Sequence, residues 1–167
     1  ATVRLAGELA KSDITLVDTP LTRTPREAEA GKLGMMTGGD PGILSRIRPV
    51  MDSFADTIIH AGPVGSGHRL KLINNFLSLS HAAIAAEAIA VAAKAGVSMQ
   101  ALKDIVVAGG ANSVMFERLI KLPLEGDDSA AKFAIVNARK DLRYYAAMAE
   151  SQSSAAFLAE QVLQLYS

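Results

Sequence analysis

The feature that most constrains this chain is segment 65–75, in which two glycines precede a stretch with helical periodicity. At about 100° per residue, Lys71, Asn74 and Asn75 lie at positions i, i+3 and i+4 and share one face of the predicted helix. Apolar side chains cover the rest of its circumference, so the helix is expected to be largely buried. Because buried polar groups without partners are costly, this stripe either meets specific partners or belongs to a capped helix whose polar face meets solvent.

The same segment reads G-x-G-x-x-x-K-x-x-N-N. This pattern resembles the signature of the β-hydroxyacid dehydrogenases, the family of 3-hydroxyisobutyrate dehydrogenase and tartronate semialdehyde reductase. The resemblance implies that Lys71 is the catalytic acid/base and that Asn74 and Asn75 belong to the substrate site. The related decarboxylating 6-phosphogluconate dehydrogenases typically carry His-Asn where this chain has Asn-Asn. Asn74 therefore favours the non-decarboxylating branch.

A second match lies upstream, where segment 18–24 reads D-T-P-L-T-R-T and resembles the substrate segment D-A-P-V-S-G-G of the family. Thr22 takes the place of the serine, and Arg23 and Thr24 replace the glycine pair. The resemblance implies that this loop binds the anionic end of the substrate. Arg23 is expected to offer a bidentate fork to a carboxylate, sulfonate or phosphate; the alternative is a solvated loop arginine.

A third match is Lys140-Asp141-Leu142, which resembles the Lys-Asp motif of the helical domain in this family. The resemblance implies that Lys140 reaches the cofactor and that Phe133 is the aromatic residue that normally accompanies it. Without the resemblance, the charged pair would be a surface feature of an amphipathic helix. The glycine fingerprint G-x-G-x-x-G that holds a dinucleotide is not found in this sequence.

Apolar runs and turn residues predict an α/β segment followed by helices alone. Strands are predicted at 14–18, 32–37 and 57–60, with helices at 25–31 and 40–53. Helices are then predicted at 67–95, 98–107, 113–122, 132–150 and 155–167, with an acidic loop at 124–129. With the resemblance, the fold class is the remnant of a doubly wound, Rossmann-like domain (1–64) followed by an all-α, 6-phosphogluconate-dehydrogenase-like domain (65–167) with a long interdomain helix.

Composition excludes several classes of function. The 17 basic and 17 acidic side chains balance, so no electrostatic argument favours nucleic acid or a membrane surface. The sequence has no Cys, and its three His share no ligand spacing, so no metal site is expected. The alanine-rich run 80–95 is interrupted by His81, Glu87 and Lys94 and is not expected to span a bilayer. We therefore predict a cytoplasmic protein.

These observations predict an NAD- or NADP-dependent oxidoreductase that interconverts a small 3-hydroxy acid and its semialdehyde. Free lysine has a pKa of about 10.4, so burial on the apolar helix is expected to lower that of Lys71 for work as a base. Two alternatives stay open: a decarboxylating phosphogluconate-type dehydrogenase, and a non-catalytic binding or oligomerisation module that kept the fold.

The resemblance also bears on completeness and assembly. A family member has about a hundred further residues before Ala1, so the chain is expected to be a fragment that alone neither turns over substrate nor binds NAD(P). The alanine-thinned helix 67–95 lets neighbouring backbones approach closely. It is expected to be the seam of a homodimer or tetramer formed through the helical domain.

Overall fold

The computed structural model describes residues 1–129 and 133–167. The chain forms two compact units, Ala1–Ile73 (unit 1) and Asn74–Ser167 (unit 2). Unit 1 combines a small sheet with helices, and the described part of unit 2 is helical, which is the α/β-then-α order that the sequence predicts. The domain boundary at 64/65 stays a prediction.

Unit 1 is organised around a three-stranded sheet. Its strands are β1 (Leu21–Thr22), β2 (Leu33–Gly38) and β3 (Ala55–Gly62), and its helices are α1 (Thr2–Leu9), α2 (Pro25–Glu29) and α3 (Pro41–Met51), with a 3-10 turn at Ala10–Ser12. The central strand β2 pairs antiparallel with β1 and parallel with β3. Every residue of β2 is buried, and Leu33, Met35, Met51 and Ala55 form the core beside it.

The predicted strand at 14–18 is wrong. Only Asp18 pairs, through an isolated bridge to Gly38, and the regular strand β1 lies beyond Pro20. Pro20 lies between the two and has no N–H to donate. Pro20 instead accepts a hydrogen bond from the Met36 amide (3.0 Å). A proline is tolerated in such an edge position, where only its carbonyl is needed.

The helices of unit 1 begin where their capping residues predict. The Asp40 side chain accepts from the amide of Ile43 at 3.0 Å, and Pro41 occupies the first helical position of α3. The helix continues through Pro49 to Met51, close to the predicted end. The other two strands, at 33–38 and 55–62, confirm the predictions at 32–37 and 57–60.

A single long helix, α4 (Ser66–Lys94), leads from unit 1 into unit 2, in agreement with the prediction at 67–95. Unit 2 continues with α5 (Met99–Ala108), α6 (Val114–Leu119), α7 (Lys121–Glu125), α8 (Ile135–Ser151) and α9 (Phe157–Leu165). Two apolar clusters lie in this unit, one around Leu79 and Leu142 and one around Phe116 and Ile120.

Helix α7 corrects the prediction that the chain leaves helical structure before Pro123 and forms a loop at 124–129. Pro123 is the third residue of α7, and the helix runs to Glu125 before Gly126 ends it in the left-handed conformation (φ 71°). A proline in the first turn removes an amide that has no partner within the helix, so the helix forms around it. The predicted start of the next helix, Lys132, lies outside the described residues.

Among the described residues, α4 is the one helix long and apolar enough to cross a membrane, with a mean hydropathy of 1.6 over its best window. Length and composition alone give this result, and core helices of soluble proteins share it. In unit 2 its alanines Ala83, Ala85 and Ala92 are buried against the protein. At about 100° per residue, Ala85 and Ala92 share one face of the helix and Ala83 lies on the opposite face, so the helix is packed on more than one side.

Candidate active site

The residues of the glycine-lysine-asparagine motif lie on α4, as predicted. Lys71, Asn74 and Asn75 fall within Ser66–Lys94, and each is of intermediate exposure. Their spacing therefore places them on one helical face, neither fully buried nor fully solvated. A lysine and two carboxamides there can handle a proton and hold a polar substrate.

Asn75 is held by a carboxylate from α8. Its Nδ2 donates to Oδ2 of Asp141 at 2.7 Å, and the Asp141 side chain is only 14 % exposed. The other oxygen of Asp141 lies 3.3 Å from Nζ of Lys140. With one amide hydrogen donated to Asp141, Asn75 keeps its carboxamide oxygen and a second amide hydrogen for another partner. Asp141 thus fixes which way the amide of Asn75 is turned.

Asp18, at the end of the extended segment before β1, is buried against the first turn of α4. Its Oδ1 accepts from the amide of Gly65 at 2.5 Å, and its Oδ2 accepts from the amide of His68 at 2.7 Å. Sequence reasoning missed both Asp18 and Asp141 as site residues. The available signals were a carboxylate after an apolar run and a carboxylate next to the predicted cofactor lysine.

The side chain of Thr22 packs against Gly34 of the central strand β2. In the β1–β2 register it lies opposite Gly34, and a Cβ added to Gly34 would lie 2.5 Å from the Thr22 methyl group. The methyl group therefore fills the space that Gly34 leaves, which fixes the rotamer of Thr22. A hydroxyl held in this way is a preorganised donor or acceptor.

Arg23 contacts protein acceptors. Its guanidinium donates to the carbonyl of Lys32, to Oδ1 of Asp56 (2.7 Å) and to the hydroxyl of Thr57 (2.9 Å). The hydrogen bond from Arg23 lowers the pKa of the Asp56 carboxyl, and a hydrogen bond from the Thr57 hydroxyl lowers it further. The backbone of Arg23 has φ 80°, a left-handed conformation that suits the glycine expected at this place in the family pattern. A substrate anion at Arg23 would have to compete with Asp56.

Thr24 is engaged by its own helix. Its amide donates to Oε2 of Glu27 at 3.0 Å, and its hydroxyl donates to the same oxygen. These bonds lower the pKa of the Glu27 carboxyl. The amide hydrogen bond is the half of a capping box in which Glu27, the third residue of α2, accepts from the N-cap residue Thr24. Of the three predicted substrate residues of this loop, only Thr22 has no side-chain hydrogen bond within the described chain.

The two predicted cofactor residues, Phe133 and Lys140, are both accessible. Phe133 lies just before α8 and is 52 % exposed, and Lys140 projects from α8 with its side chain equally exposed. An accessible aromatic ring and an ammonium suit a cofactor that carries a flat base and a phosphate. No group of three or more potential metal ligands occurs in 1–129 or 133–167.

Unit 1 also contains an open cavity of about 690 Å³ beside the carboxyl ends of β2 and β3. Its lining comes from α1, segment 13–16, residues 39–41 and residues 60–64, and much of it is backbone or apolar. None of the predicted substrate residues, nor Lys71, belongs to this lining. The cavity and Lys71 are therefore separate features of unit 1.

Comparison with known families agrees with this geometry. A family model described as NAD-binding of NADP-dependent 3-hydroxyisobutyrate dehydrogenase matches residues 65–167, which is more than half of the chain. A second, described as the NAD binding domain of 6-phosphogluconate dehydrogenase, matches residues 1–62. The chain belongs to the 3-hydroxyisobutyrate dehydrogenase family. The resemblance and the fold class predicted from the sequence are thereby confirmed.

Individual members of the family are similar at about 30 % identity. The 2-(hydroxymethyl)glutarate dehydrogenase of Eubacterium barkeri is 30 % identical over 142 residues, which cover 85 % of this chain and 47 % of the relative. The solved 3-hydroxyisobutyrate dehydrogenase of Mycobacterium tuberculosis, in a structure with L-serine, has a TM-score of 0.87 at 29 % identity over 99 % of this chain and 60 % of that one. The structure of the Salmonella typhimurium 3-hydroxyisobutyrate dehydrogenase gives a TM-score of 0.81 at 29 % identity over 98 % of this chain and 57 % of that one.

The chain spans about half the length of the curated relatives it matches. The similarity nevertheless runs through both units, since each family model covers nearly all of one part of the chain. The motif residues on α4 therefore lie in a chain whose whole described fold is that of the 3-hydroxyisobutyrate dehydrogenase family.

Proposed function

We propose that the protein carrying this chain is an NAD(P)-dependent oxidoreductase that interconverts a small 3-hydroxy acid and its semialdehyde. Membership of the family and relatives named as hydroxy acid dehydrogenases support the class of reaction. The observation that carries the proposal is the set Lys71, Asn74 and Asn75 on one face of α4, with the amide of Asn75 turned by Asp141.

Lys71 is proposed to manage the proton of the reaction. In oxidation, its neutral amine takes the hydroxyl proton of the substrate while the carbon-bound hydrogen leaves with its electron pair. In reduction, the ammonium returns a proton to the oxygen that becomes the alcohol. Bound NAD(P) supplies or accepts the hydride. Lys71 needs a position next to the reacting oxygen, and the first turns of a long helix provide a rigid support for it.

Asn74, Asn75 and Thr22 are proposed to bind the substrate. Asn75 offers its carboxamide oxygen to a substrate hydroxyl, because Asp141 already occupies one of its amide hydrogens. The seated hydroxyl of Thr22 is proposed to contact the anionic end. Arg23 and Thr24 are the other predicted substrate residues of this loop, and each first has to release an acidic partner, Asp56 or Glu27.

Phe133 and Lys140 are proposed to contact the cofactor. Their exposure fits this role, and among residues 1–129 and 133–167 Lys140 is held by one ion pair, with Asp141. Asp141 would then serve both ligands, since one of its oxygens faces Asn75 and the other faces Lys140.

Replacement of Lys71 by alanine tests the proposal. In the catalytically active form of the protein that carries this chain, Lys71→Ala is expected to lower kcat by several orders of magnitude and to leave cofactor affinity nearly unchanged, because a proton donor acts mainly in the transition state. Lys94→Ala, in the last turn of the same helix, is the matched control. Turnover of Lys71→Ala within a few-fold of the parent would contradict the assignment.

Asn74 also distinguishes the branches. A decarboxylating enzyme of the phosphogluconate type is expected to have histidine there, so products should retain every carbon of the substrate. Release of labelled carbon dioxide from a carboxyl-labelled 3-hydroxy acid would favour the decarboxylating alternative. Binding without turnover, at every substrate tried and with Lys71 intact, would favour the non-catalytic module.

The protein is further proposed to be a cytoplasmic homodimer or tetramer. Within unit 2, Leu77, Ile84 and Val91 recur every seven residues on α4 and are each more than half exposed. A row of this kind is suited to a second helix, and the polar residues of the motif on the same helix argue against lipid. Light scattering should show a dimer or larger species that Ile84→Glu disrupts and Ile105→Glu, at an exposed position on α5, does not. A monodisperse monomer would refute the seam.

A further inference from the structure

Asp18 is a buried carboxylate whose position is set by the sheet. Its side chain is only 1 % exposed, and its backbone is tied to the end of β2 by two hydrogen bonds with Gly38, at 2.9 and 2.8 Å. The carboxylate therefore projects from a fixed base. A buried charge is stable only where it is paired or hydrogen-bonded.

The partners of this carboxylate are two amides at the start of α4 and the imidazole of His68, whose Nδ1 lies 3.4 Å from Oδ2 of Asp18. The first amides of a helix have no acceptor within the helix, and they are normally capped by a side chain of the preceding residue. Here the preceding residue is Gly65, which has no side chain. Asp18, 47 residues earlier, accepts from the amides of Gly65 and His68 instead, and its negative charge lies at the positive end of the helix dipole.

Two glycines allow the start of α4 to come this close. A Cβ on Gly67 would lie 2.5 Å from the carbonyl oxygen of Met36 and 2.9 Å from Oδ2 of Asp18. A Cβ on Gly38 would lie 2.5 Å from Oδ1 of Asp18 and 2.8 Å from the amide nitrogen of Gly67. The helix start, the end of β2 and the carboxylate are therefore in direct contact.

Lys71 lies four residues after Gly67 and therefore on the same face of α4, one turn further along. Side chains on a helix lean toward its N-terminus. The base of Lys71 is thus supported by the same turn that Asp18 and β2 hold in place. A shift of that turn would move Lys71 with it.

We propose that Asp18 is a positioning residue for Lys71. It caps α4 from the sheet and so sets where the helix begins and where the lysine amine lies. Asp18 is not a catalytic residue, because it is buried and both of its oxygens are used by backbone amides. The proposal rests on the acid/base function proposed for Lys71.

The test compares Asp18→Asn and Gly67→Ala in the active protein that carries this chain. Asp18→Asn replaces one acceptor oxygen by a donor that faces an amide hydrogen, and Gly67→Ala leaves every hydrogen-bonding group in place but pushes the helix from Met36. Asp52→Asn, at an exposed carboxylate on the C-cap of α3, and Gly7→Ala, in open space on α1, are the matched controls.

We expect both test variants to lower kcat at least tenfold per folded molecule and to leave KM within threefold. In the pH dependence of kcat, they should also shift the limb that is absent in Lys71→Ala. The titration of the Lys71 amine, followed by NMR in lysine-labelled protein, should shift in Gly67→Ala, which changes no charge, and not in Gly7→Ala. If Asp18→Asn fails to fold, Asp18→Glu serves in its place, since it retains the charge but displaces both oxygens.

Parent-like kcat and parent-like Lys71 titration in folded Asp18 variants, in a protein that Lys71→Ala inactivates, would overturn the positioning role while the proposed function stands. Parent-like turnover of Lys71→Ala would overturn the proposed function itself. The NMR titration then decides the positioning claim on its own: a shifted Lys71 titration in the charge-neutral Gly67→Ala supports it, and an unshifted one removes it.

Discussion

The two shielded carboxylates that touch α4 act on it in different ways. Asp18, in unit 1, accepts from two backbone amides and holds the helix itself. Asp141, in unit 2, accepts from the side chain of Asn75 and pairs with the accessible Lys140. Backbone amides at a buried helix start have no alternative partner, whereas an asparagine amide can rotate toward another partner or toward water. The first contact therefore determines fold and site together, and the second mainly determines the site.

The largest expected difference between the two is in stability. Asp18→Ala leaves two amides without acceptors, and each such group costs about 1–3 kcal/mol, so a loss of about 2–6 kcal/mol is expected. Asp141→Ala removes one side-chain hydrogen bond and an ion pair with the accessible Lys140, for about 1 kcal/mol. Urea unfolding measures both changes. Equal losses would show that the two carboxylates are not different in kind.

Alanine substitutions at Gly67 and Gly7 test how tightly the start of α4 is packed. Gly67→Ala forces the new methyl group to within 2.5 Å of a backbone carbonyl, and overpacking of this kind costs about 1–3 kcal/mol. Gly7→Ala places the same methyl group in open space within α1, where alanine is favoured by about 0.5–1 kcal/mol. Thermal unfolding should therefore show shifts of opposite sign. A stabilising Gly67→Ala would mean that the turn has room.

The sequence predicted those helices whose ends are marked by local capping residues. Asp40 before Pro41, and Thr24 before Pro25, mark helix starts with residues that cap locally, and both helices are found within a residue or two of the prediction. The strand expected at 14–18 failed for a different reason. An apolar, β-branched run indicates that a segment is extended. Whether it pairs depends on a neighbouring strand that is distant in the sequence, and no local pattern identifies that strand.

The site shows the same division between local and distant information. The spacing of Lys71, Asn74 and Asn75 within one helix predicted that they share a face, and the family resemblance implied their roles. Asp18 and Asp141 were missed because their partners are 47 to 66 residues away in the sequence. A lone aspartate has many ordinary explanations, and only the fold shows which amides it meets.

A smaller effect is expected at the substrate contact in unit 2. Asp141→Asn removes the charge that fixes the amide of Asn75, and a hydrogen bond of this kind contributes about 1 kcal/mol, or roughly fivefold in kcat/KM. Asp104→Asn is the matched control, because Asp104 accepts an amide hydrogen from Gln100 at the same 2.7 Å on an exposed surface. Steady-state kinetics of both variants make the comparison. A control as damaging as the test variant would remove the special role of Asp141.

The smallest effect is expected at an exposed carboxylate, Asp56, which accepts from Arg23. Arg23 lowers the pKa of Asp56 in the folded protein. A lowered folded-state pKa means that the stabilisation is fully present above the unfolded pKa of about 3.9 and is lost as the pH falls through the folded value. The melting temperatures of the parent and Asp56→Asn should therefore differ by a constant, small amount from pH 5 to 8 and converge only in stronger acid. A difference that changes near neutral pH would assign the effect to another group.

Two substitutions at Arg23 distinguish the stability contribution of its ion pair from the cost of its left-handed backbone. Its φ of 80° costs a non-glycine residue about 1 kcal/mol, and exposed ion pairs contribute little and weaken with salt. Arg23→Ala loses the pair and retains the strain, whereas Arg23→Gly loses the pair and relieves it. Arg23→Gly should therefore melt at or above the parent temperature and Arg23→Ala below it, with the gap between the two independent of salt. If both variants melt equally far below the parent, the contacts of Arg23 with Asp56, Thr57 and Lys32 stabilise the protein more than an exposed cluster normally does. The exposed carboxylate Asp56 would then matter as the shielded carboxylates do, and the contrast between them would be wrong.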